Sequence, residues 1–214
     1  EIKPIIKHPL VKKEFNKEVV EEFFAFQSLM PPNTFFKNIK VLEPGKLITI
    51  DIENTKKALF KVYWDLINCM HNNDNDLNVD EQIIASLEKC WRADRNIGIQ
   101  LSGGIDSSLI SAISKNELKI NSANTFSVIF DDSKIKYYKP RSEEKYIDEI
   151  ANKFGYYSYK YTFKDTQIKS ALAEAIWYNE MPINGPSTSL YLLLAKEIKK
   201  HTTVLLTGEG ADDI

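Results

Sequence analysis

Eight consecutive residues, Leu101 to Ser108 (LSGGIDSS), bring together two adjacent glycines, three hydroxyls and one carboxylate. Gly103 and Gly104 lack a Cβ, so the backbone there can turn with positive φ and let a ligand come close to its amides. Asp106, Ser107 and Ser108 fall where a helix would begin, and its free N–H groups and positive dipole end would face an anion in the loop. The loop has no lysine, so it is not the GxxxxGK[ST] pattern in which a lysine reaches the terminal phosphates. A carboxylate such as Asp106 repels a polyphosphate unless a divalent cation lies between them. Magnesium binds through one or two carboxylates plus phosphate oxygens. The residues therefore point to a nucleotide with magnesium, set against an ordinary glycine-rich βα turn capped by Asp106.

A second group of charges lies near the carboxyl end. Gly208, Glu209, Gly210, Ala211, Asp212 and Asp213 follow an apolar run, Thr203 to Thr207 (TVLLT), that reads as a buried strand. Three carboxylates within five residues at a strand end are hard to ionise together, and a bound cation relieves the crowding. The alternative is a solvated acidic tail.

The elements that must position these groups alternate. A polar stretch, His71 to Asn78 (HNNDNDLN), reads as a linker. Val79, Ile83, Ile84, Leu87, Cys90 and Trp91 then recur at helical spacing, with Asn78 as cap and Glu81 as its N3 partner. After them come the strand NIGIQL (96–101), the loop helix, the strand TFSVIF (125–130), a helix over 142–154, the strand YYSYKYTF (156–163), helices over 166–178 and 189–200, and TVLLT. Such alternation predicts an α/β fold, a parallel sheet with helices on both faces. In such sheets ligands sit at the carboxyl ends of the strands where the strand order reverses, and both motifs follow strands at that rim. Ser187 or Ser189 is available to cap the last helix, and DDSKIKYYKPR (131–141) reads as a solvated connection rather than a lid.

SGGIDSS resembles the pyrophosphate-binding loop of the ATP pyrophosphatase (PP-loop) superfamily, whose members cleave ATP between the α and β phosphates. LLTGEGADD resembles the second signature of the class B, glutamine-hydrolysing asparagine synthetases, written there as SGEGADE before an aromatic-Gly-Gly-Tyr segment. Here Thr207 stands where serine is common and Asp213 where glutamate is common. TFSVIF is similar to the strand that supplies backbone contacts to adenine in that family, which puts Val128 at the base, and SEEKYIDEIANKFG (142–155) resembles the family's next helix. TFFKNIKVLEPGKLITID (34–51) and YWDL (63–66) resemble the closing strands of the family's amino-terminal glutaminase domain. EVVEEFFAFQSLMPP, from Glu18, resembles the helix before them.

The resemblance implies an adenine nucleotide alpha hydrolase-like fold preceded by the C-terminal strands of an N-terminal-nucleophile glutaminase domain. Residues 1–68 are expected to be that remnant, 69–78 a linker, and 79–214 a synthetase domain truncated at its carboxyl end. The implied activity is a ligase reaction: ATP adenylates the side-chain carboxylate of aspartate with release of pyrophosphate, and ammonia from glutamine then displaces AMP. Leu101, Ser102, Gly103, Gly104, Asp106, Ser107, Ser108, Val128, Thr207 and Gly208 are expected on ATP or pyrophosphate, and Asp106 and Asp212 on Mg2+. Glu209, with Asp106 and Asp212, is expected to be catalytic, Glu209 at the ammonia or its proton. Glu180 stands at the family's acid-x-Pro position, which lies near the nucleotide there, and is weighed against a plain surface acid at a helix end. A β-lactam synthetase or peptide cyclase type of relative would keep this loop and change the acceptor. A non-catalytic remnant would keep nucleotide binding alone.

The family's glutaminase uses an amino-terminal cysteine, whereas this chain begins at Glu1 and has only Cys69, in the linker, and Cys90, at an apolar helix position. It therefore reads as an internal stretch of a longer protein, inactive by itself. Its 214 residues, 43% hydrophobic, are enough to bury a core, and a net charge of -2 gives no electrostatic case for nucleic acid or an anionic membrane. No run approaches the roughly eighteen apolar residues of a membrane span. Two cysteines without CxxC spacing suit a reducing, cytoplasmic setting, three scattered histidines offer no metal site, and a homodimer is one expected assembly.

Overall fold

A computed structural model describes residues 1–54, 57–71, 78–130, 143–183 and 185–211. The chain divides into two compact units, residues 1–76 with 176–184 and residues 77–175 with 185–214.

In the first unit, α1 (Ile2–Lys7) precedes a 3-10 turn (Lys17–Val19) that runs into α2 (Val20–Phe26). Phe35 anchors this part, with the ring of Phe23 edge-on at 5.4 Å and that of Phe15 stacked at 6.0 Å. Thr34 fixes the turn beside it, its hydroxyl donating to the carbonyl of Ile39 at 2.6 Å. Within the stretches matched to the closing strands, the hydrogen-bonded ladder is a single antiparallel hairpin, β1 (Lys46–Ile50) with β2 (Ala58–Val62). After it, α3 (Leu66–His71) carries helix through His71, into the stretch read as linker. The rest of that polar stretch, apart from Asn78, lies outside the described residues.

The second unit opens with α4 (Val79–Cys90), where the Asn78 side chain caps the helix by accepting from the N–H of Asp80 at 3.0 Å. Its buried stripe is narrower than the sequence period. Leu87 is buried and Ile83, Ile84 and Trp91 are partly so, but Val79 and Cys90, at the ends of the stripe, are exposed. Then follow β3 (Ile97–Gln100), α5 (Ile105–Asn116), β4 (Asn124–Val128), α6 (Glu144–Phe154), β5 (Tyr157–Tyr161), α7 (Asp165–Asn179), α8 (Ser187–Ile198) and β6 (Val204–Leu206). The last turn of α7 groups with the first unit.

The four strands of the second unit form a parallel sheet in the order β5-β4-β3-β6. Central strands of such a sheet are covered on both faces and become apolar throughout; Ile99, Thr125, Phe126 and Ser127 are accordingly buried. On one face Ile99 and Leu101 pack with Ile110 of α5, Ile147, Ala151 and Phe154 of α6, and Trp91. On the other, Phe126 packs with Leu194 and Ile198 of α8. The helix over 144–154 buries Ile147, Ala151 and Phe154 as its spacing predicts and ends at Gly155 in the left-handed conformation (φ +70°). Tyr146, on the same predicted stripe, stays half exposed.

The N-cap of α5 is Gly104, so Asp106 is the second residue of the helix and the alternative of a turn capped by Asp106 does not hold. The N-cap of α8 is Pro186 without a side-chain bond. Ser187 begins the helix, and Ser189 is buried with its hydroxyl unpaired among the described residues. Both helices leave their first N–H groups without a side-chain acceptor. The 131–141 connection lies outside the described residues.

Candidate active site

The chain runs from β3 through β4 to β5 on one side, then crosses back so that β6 pairs on the other side of β3. The strand order therefore reverses between β3 and β6, and a crevice opens there at their carboxyl ends. The two motifs found in the sequence are the loops that leave these two strands.

The first loop is held by its own hydroxyls. Ser107 Oγ accepts from the Ser102 N–H at 3.2 Å, shares a hydrogen bond with Ser102 Oγ at 3.0 Å, and lies 3.2 Å from the Gly104 carbonyl, to which it can donate. Ser102 Oγ also accepts from the Gly104 N–H at 3.2 Å, and Ser108 Oγ donates to the Gly104 carbonyl at 2.7 Å. The root of the loop is pinned from β4, where the buried Ser127 hydroxyl donates to the Leu101 carbonyl at 2.6 Å. Gly103 turns with φ +88°, and a Cβ there would come within 2.9 Å of the Glu143 carbonyl at the start of α6. Only glycine suits both the turn and that approach.

The second loop closes against the first. A Cβ on Gly208 would lie 2.7 Å from Asp106 Cβ and 3.0 Å from the Ser107 nitrogen. Between the loops is a cavity of about 260 Å³ lined by Ser102, Asp106, Ser107, Thr207, Gly208, Glu209 and Gly210, together with Gln100 and Tyr191. A second cavity of about 450 Å³ extends over the ends of β3 and β4. Its walls include Leu101, Val128, Phe130, Glu143, Leu190 and Leu194. Gly103, Gly104 and Ser108 build the loop backbone rather than these walls, and Asp212 lies outside the described residues.

The electrostatics favour an anion held by amides and a cation. The N–H groups of Ile105, Asp106 and Ser107, in the first turn of α5, have no acceptor within the helix. The carboxylates of Asp106 and Glu209 line the same cavity and make no ion pair among the described residues. No group of three metal-binding side chains is found among the described residues, but magnesium typically needs only one or two carboxylates beside phosphate oxygens. The donor set therefore fits that ion. Glu144, in the wall of the larger cavity, is held by the Lys160 ammonium at 2.8 Å. The hydrogen bonds that Lys160 donates to Glu144 and Asp148 raise its pKa above the ordinary value. Behind α5, burial pushes the Tyr156 phenol up to about 12 while its hydroxyl donates to the Ser111 carbonyl at 3.1 Å.

Glu180 lies in the first unit. Its carboxylate accepts from the N–H groups of Ile2 (2.7 Å) and Lys3 (2.9 Å) and pairs with the Lys3 ammonium at 2.8 Å. Burial works against the charge, but these bonds hold it down at about 2. Sequence reasoning did not find Gln100, Ser127, Glu143 or Tyr191. The one visible signal was Gln100, a polar residue inside the apolar run NIGIQL.

A parallel sheet whose glycine-serine turn meets a second, Glu209-bearing turn at the point of strand reversal defines an α/β domain with a crevice at its switch point. Residues 78–214 match the family model for asparagine synthase, and the chain belongs to that family. It is 31% identical to the glutamine-hydrolysing asparagine synthetase 1 of Bacillus subtilis (strain 168), over 94% of this chain and 31% of that protein. It is 26% identical to a putative glutamine-hydrolysing asparagine synthetase 2 of Methanocaldococcus jannaschii, over 95% of this chain and 38% of that one. Identity is also 26% to asparagine synthetase 3 of B. subtilis, over 100% of this chain and 36% of that protein. The chain thus spans about a third of the length of these relatives. Among the described residues no helix is long and apolar enough to cross a membrane.

Proposed function

We propose that this chain is the nucleotide-handling part of a glutamine-dependent asparagine synthetase, with an adenine nucleotide alpha hydrolase-like second unit. The observation that carries the reading is the contact of Gly208 with Asp106 and Ser107, which makes one crevice of two separate motifs. ATP would lie with its adenosine in the larger cavity, beside Val128, and its β and γ phosphates in the smaller one. A carboxylate oxygen of aspartate attacks the α-phosphorus as the bond to the bridging oxygen breaks, and pyrophosphate leaves with the electron pair. The amides of Ile105, Asp106 and Ser107 stand ready for the charge that gathers on it, so they need no reorganisation at that moment. Magnesium, held by Asp106 and Asp212, would supply further charge neutralisation on the leaving group. Ammonia then attacks the acyl carbon, AMP departs, and Glu209 accepts the proton released from nitrogen.

The first unit supports the amidotransferase part of the reading. Leu59, Phe60 and Val62 of β2 and Leu47 and Ile50 of β1 are all at least half exposed. A two-stranded hairpin is marginal alone and needs further strands or a packed layer. If residues 1–68 close a glutaminase domain, the other strands of that domain would supply that setting.

The test is exchange of labelled pyrophosphate into ATP by the full-length parent, with aspartate compared against other carboxylic acids. Exchange that requires aspartate is expected. Exchange with a different acid alone would move the protein to another amide-forming activity, and no exchange with any acid would refute the adenylation reading.

A further inference from the structure

The two cavities at the sheet rim share three residues: Gln100, Ser102 and Tyr191. Ser102 is engaged, since its hydroxyl accepts from the Gly104 N–H and bonds to Ser107 Oγ. Gln100 and Tyr191 make no side-chain hydrogen bond among the described residues. Gln100 ends β3 immediately after the fully buried Ile99, and Tyr191 stands on α8 46% exposed. That helix is held to the sheet by Leu194 and Ile198, so Tyr191 is not what packs it. Neither cavity is lined by a lysine or arginine among the described residues. At the waist between the cavities, this chain therefore offers two uncommitted neutral donors.

With the nucleoside in one cavity and the diphosphate in the other, the atom at the waist is the α-phosphorus. We infer that Gln100 and Tyr191 are positioning residues for the α-phosphate, their amide and hydroxyl groups donating to its non-bridging oxygens. They orient the phosphorus for in-line attack and transfer no proton. The inference rests on the adenylation reading and extends it to residues that neither motif contains.

Three probes separate the parts of the nucleotide: adenosine for the larger cavity, inorganic pyrophosphate with magnesium for the smaller, and AMP for the waist. Their affinities would be measured by calorimetry on the full-length parent and on Gln100→Leu, Tyr191→Phe and Tyr191→Leu. Each variant is expected to lose about tenfold in AMP affinity, as befits a hydrogen bond to a charged oxygen. Adenosine and pyrophosphate should stay within about twofold, the range of a substitution that disturbs no packing. The kcat of pyrophosphate exchange should fall more than the KM for ATP rises. Unchanged AMP binding in Gln100→Leu and Tyr191→Phe would overturn the inference, as would equal weakening of all three probes. Wild-type protein that binds none of the probes would refute the adenylation reading itself.

Discussion

Replacing Gly208 with alanine tests whether the two loops must touch. The residue is not in the left-handed region, so the only obstacle is contact: the new methyl would sit 2.7 Å from Asp106 Cβ and 3.1 Å from the Asp106 carbonyl carbon. Ordinary van der Waals contact begins at 3.4 Å and extends to 4 Å, so the gap must open by about 0.7 to 1.3 Å. The atoms in the way include the backbone of α5's first turn, which cannot swing aside as a side-chain tip could. The loops must therefore separate. A displacement near 1 Å at a reacting centre costs on the order of 100-fold in rate, whereas overpacking at such a site costs about 1 to 3 kcal/mol of stability. Pyrophosphate exchange by Gly208→Ala in the full-length parent should thus fall on the order of 100-fold, with pyrophosphate binding weakened and a cooperative thermal transition retained. AMP binding should persist, because the displacement lies in the smaller cavity. Exchange at the wild-type rate would refute the reasoning, since it would show that the crevice works with its two loops apart.

Gly98→Ala should destabilise the sheet by about 1 to 3 kcal/mol, because its Cβ would fall 2.5 Å from the buried Phe126 ring; urea unfolding measures it. Ser107→Ala removes the hub of the loop's hydroxyl network and should cost about 1 to 3 kcal/mol, whereas Ser108→Ala should cost about 0.5 to 1, since its N–H still reaches Gly104. Equal losses in urea titrations of the two variants would count against that hub. The Glu180 carboxylate sits at about 2 in the folded chain against an ordinary 4.5, so its contribution is complete above about 4.5 and is lost as pH falls through about 2. Urea midpoints of wild type and Glu180→Gln should differ by a constant amount above that range and converge in acid; a gap that widened on acidification would reverse the sign.

Much of the site was legible because local requirements dictate residue types. A loop that turns at Gly103 and touches Glu143 must use glycine, and a serine-rich helix start announces itself beside it. β6 was legible as an apolar run, as expected of a strand in a parallel sheet covered on both faces, whereas β4 (NTFSV) and the edge strand β5 (YSYKY) carry polar residues and were legible through their β-branched and aromatic residues. What the sequence concealed depends on contacts distant along the chain. Tyr191 carries no local mark, and its place beside both cavities follows from the packing of α8 on the sheet through Leu194 and Ile198. The partners of Glu180 lie 177 and 178 residues away, and no periodicity could announce them.

The hydroxyls of the first loop fix the shape of its backbone. The bonds of Ser102, Ser107 and Ser108 run to one another, to the Ser102 and Gly104 N–H groups and to the Gly104 carbonyl. They brace the backbone. The amides of Ile105, Asp106 and Ser107 have no acceptor within α5, which fixes their direction, and the loop root is tied to Ser127 on the neighbouring strand. Amides fixed in this way are oriented before any ligand arrives, whereas a flexible lysine must be ordered on binding and gives up rotamer freedom to do so.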